Sequence, residues 1–270
     1  MLDPQGNLRW LSVPSVLIVA LAVACSTSPT GRQQLVIFSD TQMSQMGATA
    51  FTELKKETPV SSDGRVRGYV RCVAQAITNE VRMQGAPRSW EVEIFNDDSA
   101  NAFALPGGKI GVHTGLLKVA VNQDQLATVI GHEVAHVLAG HSNERASTNL
   151  ATQGALEALN VLSGPASPAK SRTLAVLGVG AQVGVLLPFS RAQETEADVL
   201  GLDLMARAGF DPRQGPALWE NMAKLGGSPP ELLSTHPSSA TRIAALRQRV
   251  EVAMPLRAQA RAKGKQPTCS

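Results

Sequence analysis

The spacing of hydrophobic positions divides this chain into helical and strand segments. Apolar residues three or four positions apart predict helices, and alternation of apolar and polar residues predicts half-buried strands. The predicted helices cover residues 41–57, 66–84, 123–139, 149–162 and 238–250, with a further helix beginning at Asp211 and Pro212. The predicted strands cover residues 35–38, 90–95, 102–105 and 109–113. The pattern indicates an α+β fold that is predominantly helical and contains a small β-sheet.

The apolar stretch at residues 173–187 predicts a buried or interfacial helix. A membrane span needs about 20 residues, and this stretch is shorter and contains Gly178, Gly180 and Gly184. A membrane-embedded enzyme needs several long apolar spans, which this sequence lacks.

The segment 123–139 predicts a half-buried helix and carries the chemistry of the chain. Asn122 and Gln125 resemble a capping box that begins the helix. Within the helix, His132, Glu133 and His136 form an HExxH motif. The apolar positions recur at helical spacing and are Leu126, Val129, Ile130, Val134, Val137 and Leu138.

The HExxH spacing predicts a metal site with a neighbouring base. Histidines four positions apart project from one helical face, so His132 and His136 can bind a single Zn²⁺. Glu133 lies beside that face, where it can take a proton from a water that zinc activates. The alternative is a chance HExxH in a helix whose histidines are hydrogen-bonded core residues.

Two histidines leave a catalytic zinc one protein ligand short. The pattern HExxHxxGxxH fails here, because Ala139 and Ser142 occupy its last two positions. A later predicted helix offers Glu194 and Asp198 four residues apart on one face. Glu194 can then bind the metal while Asp198 orients a ligand histidine through its other ring nitrogen. Glu196 faces elsewhere, and the alternative is that all three carboxylates are solvated helix charges.

The N-terminal residues 1–24 have the features of a secretory signal. The apolar run 16–24 is shorter than a membrane span and ends in small residues before Cys25. With the polar residues that follow, it resembles a bacterial lipobox, which implies cleavage before Cys25 and lipidation of its thiol. Ser26, in place of aspartate, implies the outer membrane. The alternatives are an ordinary signal peptide or an uncleaved anchor, with an incidental cysteine.

The net charge, the C-terminal basic residues and the two remaining cysteines constrain the function only weakly. A formal charge of only +3 argues against a nucleic-acid binder. The basic residues of 255–270 predict a solvated tail, with contact to anionic lipid as the weaker alternative. Cys72 and Cys269 either pair in an oxidising compartment or remain one buried and one exposed thiol, and their separation in sequence does not decide between these.

Several motifs together resemble one family. The matching stretches are the HExxH motif, Ser-Arg-x-x-Glu-x-Glu-Ala-Asp at 190–198, residues 101–108, 114–117 and 234–237, and Arg242 with Ile243. They resemble the gluzincin zinc metallopeptidases of the HtpX and CAAX prenyl endopeptidase family, in the exported bacterial lipoprotein branch. The likeness runs from residue 30 to residue 250. His113 departs from the family, which more often has an aromatic residue there; we predict that His113 and His141 are structural or peripheral.

The resemblance implies a zincin-like metallopeptidase with one Zn²⁺ per chain. It implies that the metal ligands are His132, His136 and Glu194. Glu133 is then the general base and later the general acid, and Asp198 orients a ligand histidine through the ring nitrogen that does not bind the metal.

The resemblance also implies roles for residues outside the two metal-binding helices. His236 is expected near the metal, where it stabilises the oxyanion or occupies the open coordination position; the alternative is a structural histidine before Pro237. Arg242 is expected to support that loop or the oxyanion. An edge strand is expected to pair with the substrate backbone through Asn101, Ala102, Phe103 and Ala104.

These expectations divide the chain into a signal peptide (1–24), a lipidated tether (25–34), a zinc metallopeptidase domain (35–254) and a basic tail (255–270). The implied function is endopeptidase hydrolysis of unfolded or misassembled envelope proteins in the periplasm, with a lipid anchor in the outer membrane. The implied partners are polypeptide substrates, the membrane and outer-membrane assembly proteins. The alternative is a chaperone-like assembly lipoprotein whose zinc site is latent and closed.

Overall fold

The computed structural model describes residues 25–162, 189–224, 232, 236 and 240–270, which form a mostly helical fold with two small sheets. The helices are α1 (Asp40–Glu57), α2 (Gly64–Thr78), α3 (Gln123–Leu138), α4 (His141–Leu162), α5 (Arg191–Arg207), α6 (Gln214–Lys224) and α7 (Ala240–Ala262). The strands are β1 (Cys25–Thr27), β2 (Gln33–Leu35), β3 (Glu91–Phe95), β4 (Ala102–Leu105) and β5 (Lys109–His113). The predicted α+β, predominantly helical class is confirmed.

Two predicted segments, residues 1–24 and 173–187, lie outside the described residues. Within the described part of the chain, no helix is both long enough and apolar enough to cross a membrane.

The main sheet has β5 at its centre, parallel to β3 and antiparallel to β4. Among the described residues β4 is therefore an edge strand, and it packs against α3. The Asn101 carbonyl accepts the His113 N–H at 3.0 Å. Because residues of an antiparallel strand alternate in the direction of their backbone groups, those of Ala102 and Ala104 point away from β5. The free edge of the sheet thus runs along the helix that carries HExxH.

Helices α3 and α5 cross at a pair of glycines beside the first histidine. A Cβ at Gly131 would lie 2.8 Å from the Gly201 carbonyl oxygen, and a Cβ at Gly201 would lie 2.7 Å from the backbone nitrogen of His132. Only glycine permits backbones to approach this closely. At the start of α3, Asn122 accepts the Gln125 N–H at 2.9 Å, but the Gln125 side chain accepts the Val121 N–H at 3.0 Å, so the predicted capping box is present only in its N-cap half. The crossing brings the histidines of α3 opposite the carboxylates of α5.

Several predicted boundaries are wrong by two to eight residues. The strand predicted at 35–38 is β2, at Gln33–Leu35. Helix α2, predicted to end at 84, ends at Thr78. Helix α4, predicted to begin at 149, begins at His141, and helix α6, predicted to begin at Asp211, begins at Gln214.

Three of these errors, those at β2, α4 and α6, come from features that apolar spacing does not encode. The N–H of Ile37 donates to the Ser147 hydroxyl at 2.8 Å, so the chain leaves the sheet early. Gly140, with φ of 67°, turns the chain directly from α3 into α4. The Asp211 side chain accepts the Arg213 N–H at 3.1 Å and holds a turn ahead of α6.

The prediction of a solvated basic tail at 255–270 is wrong. Helix α7 continues through Pro255 to Ala262, because its apolar face packs on α5 and α6 and outweighs the one backbone bond that proline forfeits. Beyond it, Cys269 forms a disulfide with Cys72, which answers the pairing question. The Gln123 side chain also accepts the Cys269 N–H at 2.8 Å. The C-terminal segment is therefore fixed beside the start of α3.

Candidate metal centre

Helices α3 and α5 place buried side chains of opposite chemical character face to face. The Ser190 hydroxyl accepts the Gln193 N–H and begins α5, which puts Glu194 in the first turn. His132 and His136 on α3 and Glu194 on α5 are each at most 3% exposed. Glu196 and Asp198 are buried as well. The alternative that these carboxylates are solvated helix charges is therefore wrong.

Four ring and carboxylate atoms converge between the helices. The Nε2 atoms of His132 and His136 lie 3.0 Å apart, and the His136 Nε2 is 3.4 Å from Glu194 Oε1. His236 completes the set, with Nδ1 3.2 Å from His132 Nε2 and 2.8 Å from Glu194 Oε1. All donor atoms of this cluster lie within 4.8 Å of one another. Ligands at 2.0–2.1 Å from a tetrahedral Zn²⁺ stand roughly 3.3 Å apart, so the spacing fits zinc.

The charges around the cluster also favour a bound cation. Burial lowers the pKa of His132, but Glu194 and Asp198 outweigh burial and raise that pKa to about 9. Burial raises the pKa of Glu194, yet the neighbouring histidines, led by His132, lower it well below its usual range. The carboxyl groups of Glu133, Glu194 and Asp198 are all buried beside the Arg242 guanidinium. A buried site with more carboxylates than cationic side chains can accommodate a metal ion.

Asp198 and Arg242 form a charged layer behind the cluster. Asp198 Oδ1 lies 3.1 Å from His132 Nδ1, on the side of the ring opposite the converging atoms. Arg242 donates two hydrogen bonds to Asp198, at 2.7 and 2.8 Å, and its Nη1 lies 2.6 Å from Glu194 Oε2. Its guanidinium stacks 4.5 Å above the Trp219 ring. Arg242 thus holds both α5 carboxylates and also contacts the His236 carbonyl oxygen at 3.4 Å.

Glu133 lies between the cluster and the free edge of β4. Burial raises the pKa of the Glu133 carboxyl, while the histidines of the cluster and the Ala104 N–H act in the opposite direction. Its Oε1 is 3.4 Å from His236 Nε2. A buried carboxylate with a raised pKa, close to both the donor cluster and an unpaired strand edge, is suited to move a proton near neutral pH.

Three residues lie near the cluster without a site role predicted from the sequence: Phe189 was not singled out, Glu196 was placed on another helix face, and His141 was predicted to be structural or peripheral. The Phe189 ring lies 4.1 Å from the His136 ring and stacks on His236 at 5.0 Å, yet a lone phenylalanine before a helix carries no signal. His141 and Glu196 contact each other at 3.2 Å, and His141 touches His136 at 2.8 Å. Spacing hides this contact, because the turn at residue 140 ends the helical periodicity. His113, bonded to the Ser99 hydroxyl at 2.8 Å, stays outside the cluster.

An HExxH helix whose next donor is a glutamate on a second helix defines a gluzincin-type zinc metallopeptidase site. The chain belongs to peptidase family M48, whose sequence model matches residues 65–250. The predicted family resemblance, metallopeptidase class and zinc cofactor are confirmed by this match together with the donor cluster.

Relatives of this family come from mitochondria and from bacteria. The chain is 38% identical to the mitochondrial metalloendopeptidase OMA1 of Danio rerio over 247 residues, which cover 85% of this chain and 51% of the relative. It is 39% identical to mitochondrial metalloendopeptidase OMA1 of Arabidopsis thaliana over 210 residues, 77% of this chain and 41% of the relative. It is 30% identical to the beta-barrel assembly-enhancing protease of Escherichia coli K12 over 225 residues, which cover 80% of this chain and 45% of the relative. The chain spans about half the length of the curated relatives it matches.

Proposed function

We propose that this chain is a zinc-dependent endopeptidase that hydrolyses unfolded or misassembled proteins of the bacterial cell envelope. The observation that carries the proposal is the position of Glu133, which lies beside the His132, His136 and Glu194 donor cluster and along the free edge of β4. A proton acceptor, a metal-binding cluster and a surface for an extended peptide are then adjacent, as peptide hydrolysis requires.

The proposed mechanism assigns each proton transfer to a residue of this chain. Zinc, when bound, supplies Lewis-acid activation of the attacking water and of the scissile carbonyl. Glu133 accepts the proton of that water and later delivers it to the leaving amine. Arg242 holds Glu194 and Asp198 in place. His236 stands at the fourth donor position, so we propose that it withdraws to admit substrate and then donates to the oxyanion, a contribution of about 10²–10³ in rate.

Substrate binding in this proposal uses main-chain hydrogen bonds. The backbone groups of Ala102 and Ala104 point to the side of β4 that pairs with no strand in the described residues, and the segment Asn101–Ala104 would receive an extended peptide there as an added strand. Phe103, whose backbone bonds to β5, would instead set the register. Recognition of this kind reads little side-chain sequence, so it suits unfolded polypeptides more than one specific target.

The proposed location is the periplasm, with an outer-membrane lipid anchor at Cys25. Cys25 is an exposed free cysteine at the start of β1, accessible to lipidation. The Cys72–Cys269 disulfide suits an oxidising compartment. The Escherichia coli relative is named for β-barrel assembly, which supports an envelope role and assembly partners. The relatives named OMA1 are mitochondrial, so the lipobox-like sequence carries the choice of compartment.

Cleavage of a generic unfolded protein tests the activity. We expect the purified protein to cleave it, a chelator to stop cleavage and added zinc to restore it. The Glu133→Gln variant is the matched control, because it preserves the ligands and removes the base. We expect it to bind zinc like wild type and to lose cleavage. Wild-type cleavage by Glu133→Gln would refute the mechanism.

The position of His236 favours one alternative, a chaperone-like binding lipoprotein with a closed zinc site. His236 Nδ1 already fills the fourth donor position, 2.8 Å from Glu194 Oε1. The His236→Ala variant separates the two functions. A latent protease changes its cleavage rate when this side chain is removed, whereas a pure binding protein hydrolyses nothing in either form.

A further inference from the structure

A buried line of polar contacts connects the metal-binding His136 to the N-terminal hairpin, which we define as residues 25–35. The Nδ1 atoms of His136 and His141 are 2.8 Å apart. The other ring nitrogen of His141, Nε2, is 3.2 Å from Glu196 Oε2. Arg32 of the hairpin donates from Nε to the same oxygen at 3.1 Å. His141 is completely buried and Glu196 is 3% exposed.

Binding of a metal at His136 Nε2 determines the direction of every hydrogen bond along this line. The His136 proton must then reside on Nδ1, from which it donates to His141 Nδ1. His141 therefore carries its own proton on Nε2 and donates it to Glu196. Every donor along the line then faces an acceptor, so the hydrogen bonds are compatible with a metal bound at His136 Nε2.

Residues of the N-terminal hairpin fix the far end of the line. Thr30 donates to Glu196 Oε1 from its hydroxyl at 2.7 Å and from its N–H at 3.3 Å. Arg32 also bonds Glu144 through both terminal nitrogens, and Glu144 accepts from the Gln193 side chain at 2.7 Å. Glu196 is consequently held from both oxygens, and its carboxylate cannot rotate away from His141 without breaking several bonds.

We propose that His141 is a positioning residue for the zinc ligand His136, and that the N-terminal hairpin sets the metal affinity of the site by holding Glu196 through Arg32 and Thr30. The inference rests on the proposed zinc site. Its physical basis is that a ligand histidine bonded at its second ring nitrogen has a fixed ring orientation and a more basic metal-binding nitrogen. The hairpin is then a working part of the metal centre, although it begins at Cys25, the proposed point of lipid attachment.

Substitutions at His141 test the first step. The measurement is zinc affinity by competition with a chromophoric chelator, together with the visible spectrum of the Co²⁺-substituted protein. We expect His141→Ala to weaken zinc binding about 10–100-fold, the usual cost of losing such a partner. His141→Asn restores binding, because its amide oxygen takes the place of Nδ1. His141→Gln does not, because its amide lies near the Nε2 position.

The two isosteric variants keep this test decisive if His141→Ala fails to fold. Zinc affinity equal to wild type in His141→Ala, or rescue by Gln with no rescue by Asn, would overturn the assignment. A change in the Co²⁺ spectrum of the Gln variant and a wild-type spectrum of the Asn variant would support it, since a packing role alone does not move metal absorption bands.

A pair of arginine substitutions tests the role of the hairpin. Arg249 is the matched control: like Arg32 it bonds a carboxylate of α5, Asp203, and its side chain is 28% exposed against 24% for Arg32. We expect Arg32→Gln to weaken zinc binding about three- to tenfold, less than loss of His141 because Thr30 remains. Arg249→Gln should leave zinc affinity unchanged. Equal effects of the two substitutions, or no effect of Arg32→Gln, would overturn the proposal.

These measurements separate the inference from the proposed function, because zinc binding is followed without substrate. A protein that binds zinc and shows the expected His141 and Arg32 effects, yet cleaves no polypeptide, would contradict the endopeptidase and support the inference. A protein that cleaves polypeptides while the His141 variants bind zinc like wild type would support the endopeptidase and contradict the inference.

Discussion

Helix α5 presents buried carboxylates on two faces, and the side chains that contact these carboxylates differ between the faces. On one face, Glu194 contacts Arg242 through Oε2 at 2.6 Å and also meets three imidazole rings, with ring nitrogens 2.8 to 3.4 Å from its oxygens. On the other face, Glu196 meets Arg32, Thr30 and one histidine. The pKa of both carboxyls is depressed against the effect of burial, well below its usual range for Glu194 and to about 2 for Glu196.

The difference lies in what the neighbours can donate. The guanidinium, hydroxyl and backbone N–H around Glu196 carry permanent protons, so that carboxylate is satisfied by the protein alone. The imidazoles around Glu194 point ring nitrogens at one another as well as at the carboxylate, with His132 and His136 only 3.0 Å apart. They cannot all donate at once, and a shared cation satisfies them together. The carboxylate of Glu196 is thus satisfied by protein donors, whereas that of Glu194 belongs to a donor cluster that could hold a metal ion.

Removal of charge on each face gives the largest expected contrast. Glu194→Gln deletes an anionic ligand, and we expect zinc affinity to fall by more than about 10³-fold, beyond the 10–100-fold typical of residues behind the ligands. Glu196→Gln retains an oxygen that accepts from His141, so we expect a loss of at most about tenfold. Chelator competition measures both. Similar losses for the two variants would show that the faces are not distinct.

The sequence predicted which residues share the Glu194 face, because local spacing encodes that arrangement. His132 and His136, like Glu194 and Asp198, are pairs four residues apart, and a helix places such pairs on one side without any tertiary information. The strands at 102–105 and 109–113 were likewise predicted at their observed positions, since short alternating runs flanked by Gly and Pro are local signals.

The other face was not predictable, because its contacts join residues far apart in sequence. Arg32 and Glu196 are separated by 164 positions, and Cys72 and Cys269 by 197. Nothing in the polar segment around Arg32 or the basic segment after Val250 distinguishes a docked segment from a solvated one. Both chain segments were therefore predicted to be tethers or tails, whereas each is attached to the core by a few specific bonds.

A second prediction sharpens the boundary of the metal-binding face. Asp198→Asn removes the charge 3.1 Å from His132 Nδ1 and weakens the hold of Arg242. We expect zinc affinity to fall about 10–100-fold, less than for a ligand. Asp203→Asn, on the same helix and also paired with an arginine, is the control and should bind zinc normally. If both variants lose affinity equally, the effect belongs to α5 as a whole and not to Asp198.

The smallest expected effect is a pH-dependent contribution of Glu196 to the stability of the metal-free protein. Its pKa is about 2 in the folded chain, because Ser28, Thr30 and His141 outweigh burial, and near 4.3 when unfolded. A depressed folded pKa contributes stability above the unfolded value, and that stability is lost as pH falls toward 2. When the pH is lowered from 5 to 3, we expect the unfolding free energy of Glu196→Gln to fall by about 1 kcal/mol less than that of wild type, allowing for solvent screening. Denaturant titrations at the two pH values measure the difference, and parallel pH dependence of the two proteins would mean that the N-terminal hairpin does not hold Glu196 ionised in solution.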